Sequence, residues 1–144
     1  MIGTDLLIAG LALLITVPVG LVAHEWTHAL ALRRAGVEYE VVYFPDRHDG
    51  VLAALASCPW AAVHPRPTGH EPAWHLRVAA LVPVVLALPA LALSFGAPVD
   101  HPVVSAVVIG WLACAIPSPQ DFSVAFYAHR VLERTRDGSG VDPR

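Results

Sequence analysis

The stretch that decides the fold is LLIAGLALLITVPVGLVAHEWTHALALRRAG, Leu6–Gly36. Its first part, Leu6 to Ala23, holds eighteen residues without a charge. As a helix those residues span roughly 27 Å, close to the hydrocarbon thickness of a bilayer. Pro18 and Gly20 lie inside the run, and membrane helices tolerate both. Thr4 or Asp5 can cap the start. Helix-compatible sequence continues through His24-Glu25-Trp26-Thr27-His28 to Arg34 and stops at Gly36. Polar, ionisable side chains at that depth are expensive, and they mark a functional site by default.

Working outward, the texture changes after Gly36. Val37 to Phe44 is β-branched and aromatic, residues 45–50 read as a turn ending in Asp49-Gly50, and Val51 to Ala56 is apolar again. This pattern predicts a small β-hairpin. An alternative for Val51 to Val63 is an interfacial or re-entrant helix, because the run is too short to span. His64 to Glu71 carries Pro and Gly and reads as a loop, with Pro72 suited to the first turn of the next helix. Val78 to Phe95, with Pro83 and Pro89 inside, is the second span. Gly96 to His101 is a short turn. Pro102 to Ile116 is the third span, interrupted by Pro117 and Pro119. Phe122 to Arg136 has helical periodicity, and Asp137 to Arg144 reads as a disordered tail. The expectation is one domain, residues 1–136, of all-α membrane architecture: three transmembrane helices and a small hairpin near the cytoplasmic face.

Composition agrees with this reading. The 144 residues are 56% hydrophobic and 15% charged, where a soluble domain carries about 25% charged residues. A net charge of −3 and the lack of a basic patch argue against a nucleic-acid partner. All nine basic residues are Arg, and Asn is absent; neither bias points to a function. Cys58 and Cys114 sit in apolar surroundings without metal-type spacing, so two buried thiols are expected rather than a disulfide. No basic n-region precedes the first run, so it is not read as a cleaved signal peptide. Arg33, Arg34, Arg47, Arg66 and Arg77 lie between spans one and two, and Arg130, Arg134, Arg136 and Arg144 follow span three. The positive-inside rule then puts the N-terminus outside, with the active-site end and the C-terminus cytoplasmic in a multi-pass cell-membrane protein.

The chemistry sits on the first span. His24 and His28 are four residues apart, so both imidazoles project from one helix face. That spacing lets both bind one zinc ion at about 2.0–2.1 Å. Glu25 beside them can act as the base that takes a proton from metal-activated water. With eight histidines in the chain, the plain alternative is a set of polar side chains snorkelling to the interface. A catalytic zinc takes three protein ligands and keeps one open position. Asp121 is the leading third ligand. It precedes Arg130 by the nine residues that separate His24 from Arg33, which places both about 14 Å from their arginines if helical. The broken run from Ile116 to Asp121 fits a cavity wall. Otherwise Asp121 only caps the last helix. His64, His70, Glu71 and His75 compete from the loop, although Pro72 spoils the helical spacing of His70-Glu71; His70, Glu71 and His75 remain open as replacements for Asp121. His48, His101 and His129 read as solvated, and Asp100 as too distant.

At these residues the chain resembles the site-2 protease class of intramembrane zinc metalloproteases. The likeness rests on His24-Glu25-Trp26-Thr27-His28 on a first core span, a following hairpin, and two further spans with a proline-rich Asp motif. It covers roughly Leu6 to Arg130. It implies zinc ligation by His24, His28 and Asp121, Glu25 as catalytic base, and cleavage of peptide bonds in or near transmembrane segments of membrane proteins. The chain departs from the class where Phe122 follows Asp121 in place of the usual Gly, where an upstream Asn is missing, and where the prolines are shifted by one position. The rival expectation is a catalytically inactive membrane protein with a structural or partner-binding zinc site. A metal carrier is disfavoured because no chain of polar sites follows the motif. The expected partners are a transmembrane substrate and the lipid bilayer, with a homo-oligomer left open. A further expectation follows from the hairpin: an edge strand such as Val41 to Phe44 can pair with an unwound substrate.

Overall fold

The computed structural model describes residues 2–43, 61–96 and 100–137. Helix α1 (Ile2–Ala35) is followed by strands β1 (Glu38–Tyr43) and β2 (Ala61–Arg66). Next come α2 (Ala73–Leu81), a 3-10 segment (Val82–Leu86), α3 (Ala87–Gly96), α4 (Pro102–Cys114) and α5 (Pro119–Arg136). Three stretches are long and apolar enough to cross a membrane: Gly3–Ala35, Ala73–Gly96 and Pro102–Arg136. Leu7, Leu14, Ile15, Leu88 and Ile109 point outward and are more than 60% exposed. Water would penalise such a surface, whereas lipid tails match it. The architecture is that of a multi-pass helical membrane protein with a two-stranded sheet, as expected.

Local chemistry explains the breaks. Helix α1 begins ahead of the expected caps Thr4 and Asp5. It ends in a Schellman turn: Gly36, at φ 71°, donates to Arg33 O at 3.2 Å and Val37 donates to Leu32 O at 3.0 Å. The left-handed φ suits glycine, and Val37 folds back on Leu32. In the second span Pro83 turns α-helix into a 3-10 segment without ending the span. His101 caps α4, accepting the Val103 N–H at 3.3 Å, with Pro102 at the first helical position. Ser118 caps α5 in a capping box with Asp121.

The hairpin differs from expectation in its second strand. Glu38 to Tyr43 pairs antiparallel with Ala61 to Arg66, in the register Glu38↔Arg66 to Tyr43↔Ala61. His64 to Arg66, read from sequence as loop, is therefore strand. Pro65 obscured it, because proline withholds a ladder donor. The Val63 N–H points away from β1 to Glu25. Backbone direction alternates along a strand, so the missing donor of Pro65 falls on the same non-ladder side. The expected strand Val51 to Ala56, its turn at 45–50, Cys58, Phe44 and the tail beyond Asp137 lie outside the described residues.

Helix α1 makes its largest interface with α4, and α2 with α5. Glycines set the approach of the first pair. A Cβ on Gly20 would lie 2.8 Å from Cys114 Sγ, and one on Gly110 would lie 2.8 Å from Leu13 Cδ1. Close helix contact through small residues is how membrane helices associate without a hydrophobic drive. At the other end Leu32, Val37, Leu76, Ala79, Ala128 and Leu132 form a core that ties α1, α2 and α5 together. The motif of α1 lies between these two contacts.

Candidate metal centre

His24 and His28 are 6% and 8% exposed, the only buried polar or charged residues among those described. Their rings meet edge to face, with centroids 4.8 Å apart. Each ring is held from behind by a backbone carbonyl. His24 Nδ1 lies 2.6 Å from Cys114 O, at the end of α4. His28 Nδ1 lies 2.7 Å from Ala79 O, in α2. A carbonyl only accepts, so each Nδ1 carries the proton and donates it. In the neutral ring, Nε2 then presents a lone pair.

Both lone pairs face Asp121. His24 Nε2 is 3.4 Å from Oδ2, and His28 Nε2 is 3.2 Å from Oδ1. His28 Nε2 is buried and makes no hydrogen bond despite that proximity. Two ring lone pairs converging on a carboxylate repel unless a cation, a proton or a metal ion, lies among them. The spacing suits zinc, since ligands at 2.0–2.1 Å in a tetrahedron stand about 3.3–3.4 Å apart. The donor set of two imidazoles and a carboxylate is also a known catalytic zinc set.

Asp121 is held for this position. Its Oδ2 accepts the Ser118 N–H at 2.6 Å, and the Asp121 N–H donates to Ser118 Oγ at 3.2 Å. The two readings of Asp121, helix cap and partner of the histidines, are thus compatible: the cap aims the carboxylate. The proline-bounded break at residues 115–118 starts α5 at the depth where this works.

Glu25 stands one residue round the helix from His24. Its Oε2 accepts the Val63 N–H at 3.0 Å. His24, Glu25 and His28 each bring a ligand atom within 4.8 Å of the others, a group that can hold a metal ion. The closer approaches to both Nε2 atoms come from Asp121, while one oxygen of Glu25 is engaged by β2. A cavity of about 510 Å³ opens on these residues, lined also by Leu21, Val63, His64, Ile116 and Gln120. Trp26 points away and is 60% exposed.

Three of the four competing residues lie elsewhere. His70, Glu71 and His75 are not among the cavity walls. Glu71 instead closes a turn, accepting from Thr68 N and Oγ1 at 2.8 and 2.9 Å and from Gly69 N at 3.0 Å. Slight burial pushes its carboxyl up, but these donors outweigh it and hold the group below its ordinary value. His64 does line the cavity, and His129 is exposed. The sequence reading missed the contributions of Val63, Ala79, Cys114 and Ser118, which act through backbone atoms. The only sequence signal for them was the placement of Pro83, Pro117 and Pro119.

The strand that borders the site is β2, through Ala62, Val63, His64 and Pro65, and no β1 residue lines the cavity. The edge expected at Val41 to Phe44 is therefore not the one beside the site.

Fold and site together describe a multi-pass membrane protein with a His-Glu-His group, its two histidines buried and its glutamate half-buried, able to hold a metal ion. No family model matches the chain, and no curated protein or solved structure matches it.

Proposed function

We propose that this protein is a zinc-dependent intramembrane endopeptidase, similar to the site-2 protease class, that cleaves peptide bonds in or near transmembrane segments of membrane proteins. The observation that carries the reading is the convergence of His24 Nε2, His28 Nε2 and both Asp121 oxygens at 3.2–3.4 Å, with Glu25 beside them under an open cavity. His24, His28 and Asp121 would hold the ion. Bound zinc supplies a Lewis acid and makes water nucleophilic at neutral pH.

Glu25 does the proton work. Its Oε1, the oxygen not taken by Val63, accepts a proton from water as the water oxygen bonds to the scissile carbonyl carbon. Glu25 then gives that proton to the amide nitrogen as the C–N bond breaks. Nδ1 donation to Cys114 O and Ala79 O keeps both imidazoles oriented throughout. The apolar walls Leu21 and Ile116 suit a transmembrane substrate. The Arg-bearing ends of α1, α2 and α5 meet around one core, which supports a cytoplasmic site end under the positive-inside rule.

A second reading is favoured by one contact: the Val63 N–H already occupies Glu25, as it would in a zinc-holding membrane protein without catalysis. Purified wild type and Glu25→Gln, reconstituted with zinc and a fluorogenic transmembrane peptide, separate the two. The proposal expects stoichiometric zinc in both and cleavage in wild type alone, reduced at least ~10²-fold in Glu25→Gln. Equal rates in the two proteins would remove Glu25 from the chemistry.

A further inference from the structure

Each metal-facing imidazole is oriented by a helix carbonyl, and for His28 the residue four places on from that carbonyl carries no N–H. For His28 the acceptor is Ala79 O, 2.7 Å from Nδ1. In an α-helix that carbonyl takes the N–H four residues on. Position 83 is proline and has none. The preceding bond of the series is intact, from Val82 N–H to Val78 O. After it the backbone tightens into the 3-10 segment. Ala79 is buried, and Pro83 is among the most completely buried side chains. A carbonyl left unpaired at this depth is costly, which favours any nearby donor. The nearby donor is the His28 ring.

We propose that Pro83 is a positioning residue for the metal site. By withholding an N–H from Ala79 O, it reserves that carbonyl for His28 Nδ1 and holds the ring in the tautomer that turns the Nε2 lone pair toward Asp121. This inference rests on the zinc reading above. Pro83 does not line the cavity, so it acts on the site through the span's backbone, by the missing donor at Ala79 O, rather than by contact with a ligand. At His24 the same arrangement uses different parts. The N–H four residues after Cys114 belongs to Ser118 and goes to Asp121 Oδ2 at 2.6 Å, while Cys114 O receives His24 Nδ1.

The test uses the full chain in detergent as wild type, Pro83→Ala and Pro89→Ala. Zinc dissociation constants come from chelator competition, and the His28 tautomer comes from ring ¹⁵N shifts of the metal-free protein. A carbonyl has two lone pairs, so an N–H restored at position 83 competes with His28 without expelling it. The expected result for Pro83→Ala is zinc binding about 10–100-fold weaker and a His28 ring shifted away from the Nδ1–H form. Pro89→Ala, which removes a proline from the same span but serves no histidine among the described residues, should match wild type in both. Lactic acid at position 83 offers no N–H, as proline does not, and should bind zinc like wild type. That comparison remains decisive where Pro83→Ala does not fold.

Wild-type affinity together with a wild-type tautomer in Pro83→Ala would overturn the proposal and leave the zinc reading standing. So would equal losses in Pro83→Ala and Pro89→Ala, or a loss with lactic acid. If wild type itself binds no zinc, the zinc reading falls. The metal-free tautomer comparison then still decides the role of Pro83.

Discussion

On the proposed reading Asp121 performs two tasks, and substitutions can divide them. Asp121→Asn keeps a side-chain oxygen for the Ser118 N–H, now held at 2.6 Å, but it loses the anionic oxygen that faces His28 at 3.2 Å. Asp121→Ala loses both. Structural zinc sites of four ligands bind with apparent free energies of about 10–16 kcal/mol, or roughly 3 kcal/mol per ligand. Loss of one ligand thus predicts affinity weaker by about 10²-fold, at 1.4 kcal/mol per tenfold. Loss of the reciprocal capping-box bond to the Ser118 N–H, with Ser118 still capping, costs at most about 1 kcal/mol of stability. Chelator competition should show the same ~10²-fold weakening in both variants, matched by His24→Ala. Thermal melting of the metal-free protein should show Asp121→Asn close to wild type and Asp121→Ala lower by about that capping increment. Wild-type zinc affinity in Asp121→Asn would refute the reasoning and reduce Asp121 to a helix cap.

Val63→Pro removes the N–H that holds Glu25 and blocks strand pairing at the edge of β2 that has no strand partner among the described residues. It should lower cleavage of a transmembrane peptide while zinc content stays at the wild-type level, and undiminished cleavage would dismiss an edge-docking role. The Glu71 turn should depend on pH. Its carboxyl is held below its ordinary value, so its contribution is complete above about pH 4.5, the ordinary value, and is lost as pH falls through the lower folded value; the protection of the Thr68 and Gly69 amides relative to their intrinsic exchange rates should fall over that descent and stay constant above it. The proposed orientation predicts that a thiol reagent confined to the outer face labels Gly3→Cys in spheroplasts and spares Asp137→Cys, while the reverse pattern would invert the topology.

If the proposed likeness to the site-2 protease class holds, the departures from its pattern have a physical context. The usual class has Gly after the ligand Asp, whereas here Phe122 follows and is 43% exposed, directed away from the core. The orientation of Asp121 toward the histidines does not need a glycine at that position, because Ser118 sets the carboxylate through its N–H. The consequences of Phe122 fall on whatever occupies the space beside α5.

Much of the fold was legible in one dimension. Uninterrupted apolar length marks a span whatever its neighbours, because each span satisfies its own backbone hydrogen bonds in lipid. Gly36 announces the end of α1 because few other residues adopt its φ. His24, Glu25 and His28 were legible for the same local reason, since helical spacing alone places both rings on one face. The partner of β1 was not legible. Strand pairing is a long-range choice, and Pro65 disguises Ala61 to Arg66, because nothing local shows that its missing donor falls on the non-ladder side, where the Val63 N–H meets Glu25. Asp121 could be nominated from its depth, but depth does not give direction. The orientation of its carboxylate came from Ser118, and that of the rings came from the carbonyls of Cys114 and Ala79, 90 and 51 residues away from the histidines they hold. Those carbonyls belong to every residue type alike and leave no mark in the sequence. Only the packing of α1 against α2 and α4 decides which of them meets a histidine.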